Sequence, residues 1–365
     1  MKIGIIGTRG IPNHYGGFEQ FAELLSVYLV KNNHEVVVYN SKSHPYKKNN
    51  YKGVTIVHAL DPENMVGTVG QFVYDLICIL DSRKRNFDII LQLGYTSSSI
   101  WSFLFPKKSI VITNMDGMEW KRSKYSSLVK KFLKYAEKIA VKKSDYLISD
   151  SKGIQSYLKE SYDVESEYIA YGSSVFSSSN ENILRDYDIS KNKYYLLICR
   201  IEPENSVEEI IEGVVNSNSN TPLLVIGDCS TNKYGENLYK KYSTLKKIKF
   251  LGSIYNQEVL NNLRFYSQLY FHGHTVGGTN PSLLEAMGCQ CVIMANDNQF
   301  NKSVLNKDAF YFKTRSDISN FLINFNKEEH KRLLINNLEK IETYYNSNNI
   351  NKIYELYFKK CLQSK

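Results

Sequence analysis

The stretch His272 to Gly288, HGHTVGGTNPSLLEAMG, carries residue types that could bind a phosphorylated ligand. Gly277 and Gly278 leave backbone amides accessible in front of Pro281, which suits the first turn of a helix because its missing N–H would have no partner there. Such amides and the positive end of a helix dipole bind anions, so the junction predicts a phosphate or diphosphate site. The predicted ligand contacts are Gly277, Gly278, Thr279 and Asn280.

Glu285 lies about one turn inside the same predicted helix, too deep to cap it. A carboxylate there repels a bound phosphate unless it faces hydroxyl groups, and a ribose beside the diphosphate satisfies both conditions. The neighbours Leu284, Ala286 and Met287 argue against full solvent exposure. We therefore interpret Glu285 as a ribose ligand rather than a solvent-facing helix residue.

A second glycine-rich junction follows the first predicted strand, KIGIIG, and ends at Gly16 and Gly17 before a helix that begins near Phe18. These glycines allow close approach of a ligand to the backbone, and the helix start favours an anion. The run from Gly7 to Gly10 reads G-x-x-G, which is not the dinucleotide fingerprint, and no GK[ST] phosphate loop occurs. On the residues alone, a ligand site and a structural turn are equally good interpretations.

The 365 residues, of which 42% are hydrophobic, predict two ordinary domains and exclude a disordered chain. The formal net charge of +9 is compatible with anionic partners. The six cysteines lack zinc-binding spacing and disulfide-scaffold density, which favours a reducing compartment. The N-terminus does not predict a signal peptide, and the most apolar segment, Phe87 to Pro106, is broken by polar residues. We expect a cytoplasmic protein that could touch the inner face of the cytoplasmic membrane.

Short β-branched runs alternate with amphipathic helical patterns along the whole chain, which is typical of βα units on parallel sheets. We expect an α/β protein with two doubly wound domains and a ligand cleft between them. The domains are predicted at 1–172 and 193–345, with a serine-rich linker at 173–192 and a C-terminal helix at 346–365 that could return to the first domain. The predicted strands are KIGIIG, HEVVVYN, VTIVHA, FDIILQLG, SIVIT and DYLISD, then YYLLICR, PLLVIGD, IKFLG, LYFHG and CVIMA.

Five sequence segments between Met1 and about Ala295 together resemble a known protein family. They are GTRGIPNHYGGFEQFAELL, NMDGMEWKRSKY, SDYLISDSKGI, CRIEPEN and HGHTVGGTNPSLLEAMG. In this order they resemble the family 4 GT-B glycosyltransferases, and among them the bacterial capsule and O-antigen rhamnosyltransferase-like subgroup with a DUF1972-type N-terminal domain. The resemblance implies two facing Rossmann-like domains and retaining sugar transfer that needs neither a metal nor a cofactor. It places the nucleotide diphosphate sugar mainly on the C-terminal domain and the acceptor on the N-terminal domain.

The resemblance also assigns roles to individual residues. Glu285 matches the second glutamate of the family's E-x7-E motif, which holds the donor ribose. Arg200 matches the arginine that contacts the donor diphosphate, where a fixed guanidinium suits a leaving group that gains charge. Gly16 and Gly17 match the glycine pair that approaches the diphosphate.

Three positions depart from the family pattern. Gly277 stands where the first glutamate of E-x7-E is expected, so the sugar-hydroxyl contact must come from elsewhere or be absent. Asn205 replaces a lysine that commonly binds phosphate. The loop Asn114 to Gly117 occupies the region of the family's catalytic-loop histidine.

Asp116 is the candidate catalytic residue, since it follows the strand SIVIT at its carboxyl end, where side chains reach a ligand. It could orient the acceptor hydroxyl, or its loop could offer a backbone carbonyl to the donor sugar, although aspartate is also an ordinary turn residue. The residues assigned to the acceptor or membrane side are Glu119, Trp120, Lys121 and Arg122. His272 and His274 alternate along a strand, but no further ligand of suitable spacing accompanies them, so we predict no metal site.

The segment 120–143 carries nine lysines and arginines against one glutamate, with apolar residues at helical spacing. Two interpretations stay open: a solvated face over a packed stripe, and a basic helix that rests on anionic lipid near a polyprenyl-linked acceptor. No recognised nucleic-acid-binding module accompanies the charge, so nucleic acid is not an expected partner.

The sequence therefore predicts a hexosyltransferase that moves a sugar from a nucleotide diphosphate to a polyprenyl-diphosphate-linked saccharide in bacterial surface polysaccharide biosynthesis. The first choice of donor is dTDP-rhamnose. A non-catalytic nucleotide-sugar-binding protein is one alternative, suggested by Gly277 and Asn205. A nucleotide-sugar epimerase of similar fold is the other.

Overall fold

The computed structural model describes residues 1–122 and 125–364, and Ser123, Lys124 and Lys365 lie outside the described residues. The chain forms two compact units. The described residues of unit 1 are 1–121, 125–172 and 347–364, and those of unit 2 are 122 and 173–346. Each unit is built on its own parallel sheet, so the prediction of an α/β protein with two such domains is confirmed.

Unit 1 contains an eight-stranded sheet in the order β3-β4-β2-β1-β5-β6-β7-β8, parallel except for the β3–β4 pair. Its elements are β1 (Lys2–Ile6), α1 (Gly17–Lys31), β2 (Glu35–Ser41), β3 (Asn50–Tyr51), β4 (Val54–Ala59), α2 (Glu63–Val66), α3 (Gly70–Ser82), β5 (Ile89–Leu93), β6 (Ile110–Asn114), α4 (Ser127–Lys143), β7 (Tyr146–Ser149), α5 (Lys152–Tyr162) and β8 (Glu167–Tyr168). Short 3-10 helices cover Gly67–Val69, Ser99–Leu104 and Glu119–Lys121.

The central strands of unit 1 have no solvent-facing side. Ile3 pairs with Val36 on one side and with Ile89 on the other, and all three side chains are buried. Parallel strands covered by helices on both faces read as continuous apolar runs, which is why these strands could be predicted from the sequence.

Unit 2 contains a six-stranded parallel sheet in the order β11-β10-β9-β12-β13-β14. Its elements are β9 (Tyr195–Ile198), α6 (Val207–Asn216), β10 (Leu223–Ile226), α7 (Lys233–Tyr242), β11 (Ile248–Gly252), α8 (Gln257–Phe265), β12 (Leu269–His272), α9 (Pro281–Gly288), β13 (Ile293–Asn296), α10 (Gln299–Leu305), β14 (Phe310–Phe312), α11 (Arg315–Leu322) and α12 (Lys331–Thr343). Short 3-10 helices cover Glu181–Tyr187, Pro203–Asn205 and Lys327–His330.

The last helix, α13 (Ser347–Gln363), packs within unit 1 although unit 2 precedes it in the chain. Its buried Tyr354 lies 4.9 Å from the ring of Phe21, and its Glu355 pairs with His34 at 3.1 Å. The segment 173–192 is counted with unit 2, where Leu184 of its 3-10 helix is buried.

The basic segment 120–143 is not one helix. Glu119–Lys121 form a 3-10 turn, and α4 begins only at Ser127, because the Ser126 hydroxyl accepts the Val129 N–H at 3.4 Å and caps it. The helix predicted over 120–143 is therefore too long at its N-terminal end. Ser123 and Lys124, which belong to that prediction, lie outside the described residues.

Among the described residues, one helical run, Glu63–Ser82, is long and apolar enough to cross a membrane, judged by length and composition alone. The sequence predicted no such segment, and its most apolar candidate, 87–106, contains β5 and the 3-10 helix Ser99–Leu104. Within the run, Tyr74, Cys78 and Ile79 pack into the core of unit 1. A core helix of a globular domain passes the same test, so the run is weak evidence for a membrane span.

Candidate functional site

The loop between β12 and α9 holds the predicted diphosphate contacts in unit 2. The Asn280 side chain accepts the Ser282 N–H at 2.9 Å, so this residue caps α9, and Pro281 takes the first helical position. Thr279 is buried and Gly278 is half-buried. The structure thus gives the Asn280 oxygen a capping role, and the preceding residues supply the amides in front of the helix.

Gly277 combines a missing side chain with an unusual backbone conformation. Its φ is +137°, a conformation that residues with a Cβ rarely adopt, yet no heavy atom of the described chain lies within 4 Å of an ideal Cβ there. The position has enough space for a side chain, but its backbone conformation disfavours any residue that carries one. A glutamate at Gly277, which the resemblance leads one to expect, would therefore require this loop to change conformation.

Glu285 lies on the buried side of α9 and forms an ion pair through Oε2 with Nη2 of Arg264. Its Oε1 is buried and has no hydrogen-bond partner among the described residues. A carboxylate held by one oxygen can accept a ligand hydroxyl with the other. The geometry is that of a fixed hydrogen-bond acceptor one turn inside the helix.

Arg264, in α8, was not among the residues predicted for the site. It is almost completely buried and also donates to Oδ1 of Asn261 and to Oγ of Ser282, both at 3.3 Å. Burial lowers the pKa of Arg264, but the Glu285 carboxylate and the smaller contributions of Tyr270, Cys289 and Cys291 together outweigh it, so the pKa lies above its usual value. One signal could have found it: Arg264 follows Leu260 by one turn, so a charge sits on the apolar face of α8.

Arg200 lies on the loop after β9, with about half of its side chain exposed, and its Nη2 is 4.0 Å from Glu202. Asn205, which stands where the resemblance leads one to expect a lysine, is buried and donates through Nδ2 to the backbone oxygen of Arg200 at 2.7 Å. Asn205 is uncharged and has a structural role, since it fixes the loop that carries Arg200.

His272 and His274 stack on each other, with ring centroids 4.5 Å apart and an interplanar angle of 12°. Burial lowers the pKa of His272 to about 3, and the pKa of His274 also falls well below its usual value. Both imidazoles are thus neutral at pH 7. Neither ring nitrogen of His272 has a hydrogen-bond partner in the described part of the chain. Within residues 1–122 and 125–364, no cluster of His, Cys, Asp and Glu could hold a metal ion.

The first glycine-rich loop in unit 1 is held by a carboxylate of its own chain. Gly16 is the N-cap of α1, and Gly17 is the first helical residue. Glu19, in the first turn, is buried and accepts the Arg9 N–H at 2.8 Å and the Thr8 hydroxyl at 3.2 Å. The loop is therefore a braced turn within unit 1, and a ligand role for Gly16 and Gly17 stays a prediction.

Asp116 lies just after β6 and is half-buried. The neighbouring Asn114 donates to the hydroxyls of Tyr171 and Tyr354 at 3.4 and 3.3 Å. Burial raises the pKa of Tyr171 well above its usual value, and the Asp116 carboxylate raises it further. Its catalytic role stays a prediction.

The acceptor-side candidates are divided between the two compact units. Glu119, Trp120 and Lys121 form the 3-10 turn of unit 1, in which the Trp120 indole N–H donates to the buried Glu137 carboxylate at 3.1 Å. Lys121 is exposed. Arg122 is counted with unit 2 and lies 3.6 Å from Glu202.

Two family models together cover nearly the whole chain. Residues 1–174 match a family described as a domain of unknown function, DUF1972, and residues 179–346 match the family described as glycosyl transferases group 1. The chain belongs to the GT-B glycosyltransferase family.

Curated relatives of this glycosyltransferase family member are distant. Protein CapJ of Staphylococcus aureus is 27% identical over 187 residues, which cover 50% of this chain and 46% of CapJ. The uncharacterized glycosyltransferase MJ1069 of Methanocaldococcus jannaschii is 26% identical over 239 residues, or 58% of each chain. The chain thus spans about half the length of the curated relatives it matches.

Solved structures share the fold of this glycosyltransferase family member at low sequence identity. Sucrose-phosphate synthase from Thermosynechococcus elongatus superimposes with a TM-score of 0.82 and 14% identity, covering both chains completely. Anabaena Alr3699/HepE, solved in complex with UDP-glucose, gives a TM-score of 0.74 at 13% identity, with 100% of this chain and 99% of that chain covered. These matches support the GT-B fold.

A buried carboxyl group in unit 1, Asp75 of α3, was also not predicted from the sequence. The Ser97 hydroxyl donates to Asp75 Oδ2 at 2.5 Å, and burial raises the pKa of Asp75 to about 7. Nothing in the local sequence marks this residue, because the two partners are 22 positions apart and meet only in the fold.

We expect Asp75→Asn to change how stability depends on pH. Since the folded pKa of Asp75 exceeds the unfolded value, the native state holds this proton more tightly, and its contribution to stability is lost as pH rises from about 4 to about 7. Stability of the wild type relative to Asp75→Asn should therefore fall by about 2 kcal/mol between pH 5 and pH 7. Urea denaturation of both proteins at several pH values measures this difference, and a constant difference would contradict the assignment.

Proposed function

We propose that this protein transfers a sugar from a nucleotide diphosphate donor to an acceptor hydroxyl. The observation that carries the proposal is the Glu285 carboxylate, which Arg264 holds by one oxygen while Oε1 has no partner in the described residues. Such an acceptor fits the hydroxyls of a donor ribose. A buried carboxylate oxygen without a partner is costly, so a ligand that supplies a hydroxyl there stabilises the folded protein.

The diphosphate is proposed to lie beside the N-terminus of α9. Backbone amides of Gly278 and Thr279 precede this helix start, and the exposed Arg200 guanidinium belongs to the same unit. A departing nucleoside diphosphate gains negative charge during the transfer. Amides fixed at a helix start and a guanidinium stabilise that charge without reorganisation.

The proposed sugar donor is dTDP-rhamnose, and the proposed acceptor is a polyprenyl-diphosphate-linked saccharide in surface polysaccharide biosynthesis. The support is the resemblance of the five sequence segments to the rhamnosyltransferase-like subgroup. A retaining reaction that needs neither a metal nor a cofactor belongs to the same proposal, with Asp116 as the candidate for contact with the sugar or the acceptor.

The proposed location is the cytoplasm, with the protein resting on the inner face of the membrane that holds such an acceptor. The basic helix α4 supports this part, because exposed lysines attract anionic lipid headgroups.

A two-stage experiment tests the function. Thermal-shift assays against a panel of nucleotide sugars that includes dTDP-rhamnose and UDP-glucose should identify one ligand that stabilises the protein. That ligand is then incubated with and without a polyprenyl-diphosphate-linked saccharide. Binding without turnover would support a non-catalytic sugar-nucleotide-binding protein, and conversion without an acceptor would support an epimerase. Transfer that requires the acceptor supports the proposal.

Glu285→Gln is expected to weaken binding of the stabilising nucleotide about ten-fold to a hundred-fold, because the amide loses a charge-assisted hydrogen bond to the ribose. Isothermal titration measures the affinity. Glu236→Gln on α7 is the matched control, since Glu236 lies on the first turn of another helix in unit 2. Equal affinities for the wild type and Glu285→Gln would remove the ribose role.

A further inference from the structure

We propose that one surface of unit 1, here named the lipid face, docks on an anionic phospholipid bilayer by inserting apolar side chains beside a row of lysines. The inference deepens the proposed membrane contact and rests on it. The apolar members are Met65, Val66, Val69, Val73, Phe103 and Leu128. The basic members are Lys131, Lys138 and Lys142.

The apolar members are exposed to a degree that is unusual for large hydrophobic side chains. Met65 is 86% exposed, Leu128 77%, Phe103 71% and Val69 63%. Single exposed apolar residues are common on soluble proteins, whereas a contiguous group of them marks an interaction surface. These residues mark such a surface if they lie side by side.

Packing between their helices brings these residues together. The rings of Phe72 in α3 and Phe132 in α4 lie 5.6 Å apart, and the Trp101 indole N–H donates to the Phe72 carbonyl at 2.9 Å. Helix α2 lies directly on the start of α3, because an added Cβ at Gly70 would come within 2.4 Å of the Glu63 nitrogen. The helix ends that carry the apolar members are thus neighbours.

Helix α4 presents both kinds of side chain on the same side. Its buried positions are Leu133, Ala136, Glu137 and Ala140, which face unit 1. At about 100° per residue, the opposite side carries Leu128, Lys131, Tyr135, Lys138 and Lys142, all of which are exposed. Lysines therefore lie in a row that leads to the apolar group at the N-terminal end of the helix.

A bilayer surface fits this combination better than water or a protein partner does. Water alone would satisfy the lysines but not the apolar tips beside them. An anionic headgroup layer attracts the lysines, and the acyl boundary just below it accepts side chains such as Met65 and Phe103. Because Tyr74 and Cys78 of the same helical run belong to the core, the run lies on the membrane rather than across it.

Vesicle co-sedimentation tests the lipid face. Wild-type protein should sediment with vesicles of phosphatidylglycerol and phosphatidylethanolamine, and much less with pure phosphatidylcholine vesicles. The double variant Met65→Asp/Val69→Asp should reduce binding to the anionic vesicles at least ten-fold at low salt. The triple variant Lys131→Glu/Lys138→Glu/Lys142→Glu should reduce it at least as much, and the wild-type binding should weaken as salt is added.

Matched controls use exposed residues of unit 2. Ile335→Asp on α12 removes an exposed apolar side chain, and Lys240→Glu on α7 reverses an exposed charge. Both controls should sediment like the wild type, and thermal melting should confirm that every variant is folded. Failure of the wild type to bind anionic vesicles would overturn the inference. Normal vesicle binding by the Met65→Asp/Val69→Asp variant would also overturn it. So would light scattering that shows a wild-type dimer which this variant dissociates, because the surface would then bind a second copy of the chain.

The same samples separate this inference from the proposed function. Nucleotide-sugar stabilisation and transfer to a short-chain, soluble acceptor do not require a bilayer, so Met65→Asp/Val69→Asp should retain both. Transfer without vesicle binding would overturn the lipid face and leave the function standing. Vesicle binding without any stabilising nucleotide sugar would overturn the function and leave the lipid face standing.

Discussion

Replacing Arg264 by methionine is expected to lower the free energy of unfolding by about 3 to 5 kcal/mol, because it leaves the Glu285 carboxylate buried without its counter-charge. Only about a tenth of the Glu285 side chain is exposed, and Oε1 already lacks a partner in the described residues. Loss of Arg264 would leave both oxygens without a compensating charge. Urea denaturation followed by circular dichroism measures the change.

A double variant separates the charge from the shape of this pair. In Arg264→Met/Glu285→Met both charges are absent, and apolar residues of similar length fill the space, so most of the lost stability should return. Nucleotide binding should not return, because the ribose acceptor is still missing. A double variant as unstable as Arg264→Met alone would show that the arginine stem, rather than its charge, stabilises this region.

Arg264→Lys probes the positioning role. The lysine keeps the counter-charge but cannot reach Glu285, Asn261 and Ser282 at once, as the planar guanidinium does. We expect moderate loss of stability and a larger loss of nucleotide affinity, since the carboxylate is held less rigidly. Equal effects on stability and affinity would indicate a purely structural role.

The central strands were predictable because they are covered on both faces, so each appears in the sequence as an uninterrupted apolar run. Leu223 to Ile226 in β10 is such a run, and all four residues are buried. The edge strands β3, β8 and β14 were missed because they are only two or three residues long and partly exposed. Their pairing depends on neighbours that the local sequence does not reveal.

The site was predictable only where local backbone chemistry determines it. Pro281 and Asn280 set the start of α9 through their own dihedral and capping preferences, and the structure places that start where the sequence predicted it. The Arg264 partner of Glu285 was not predictable, since 21 positions separate the two residues. The same holds for Asn205, whose bond to the Arg200 carbonyl is a property of the folded loop.

Gly273→Ala is expected to destabilise unit 2 by about 3 kcal/mol or more, because a Cβ there would lie 1.9 Å from the backbone oxygen of Asn205. The obstacle is backbone rather than a flexible side-chain tip, so the loops after β12 and β9 must move apart. Three hydrogen bonds of 2.9 Å hold these loops together: Ser206 Oγ donates to the Gly273 carbonyl, and both the hydroxyl and the backbone N–H of Thr275 donate to the Glu204 carbonyl. Thermal and urea denaturation measure the loss.

Gly252→Ala is the matched control, since Gly252 lies in the same unit at a φ of +68° with no described heavy atom within 4 Å of its ideal Cβ. Gly252→Ala should lower the free energy of unfolding by only about 1 kcal/mol, the cost of placing alanine in a left-handed backbone conformation. The two variants should differ in function as well. Displacing Asn205 moves the loop that carries Arg200, so folded Gly273→Ala should bind the donor nucleotide more weakly, whereas Gly252→Ala should bind it normally. A Gly273→Ala protein that melts and binds like the wild type would contradict the close contact between these loops.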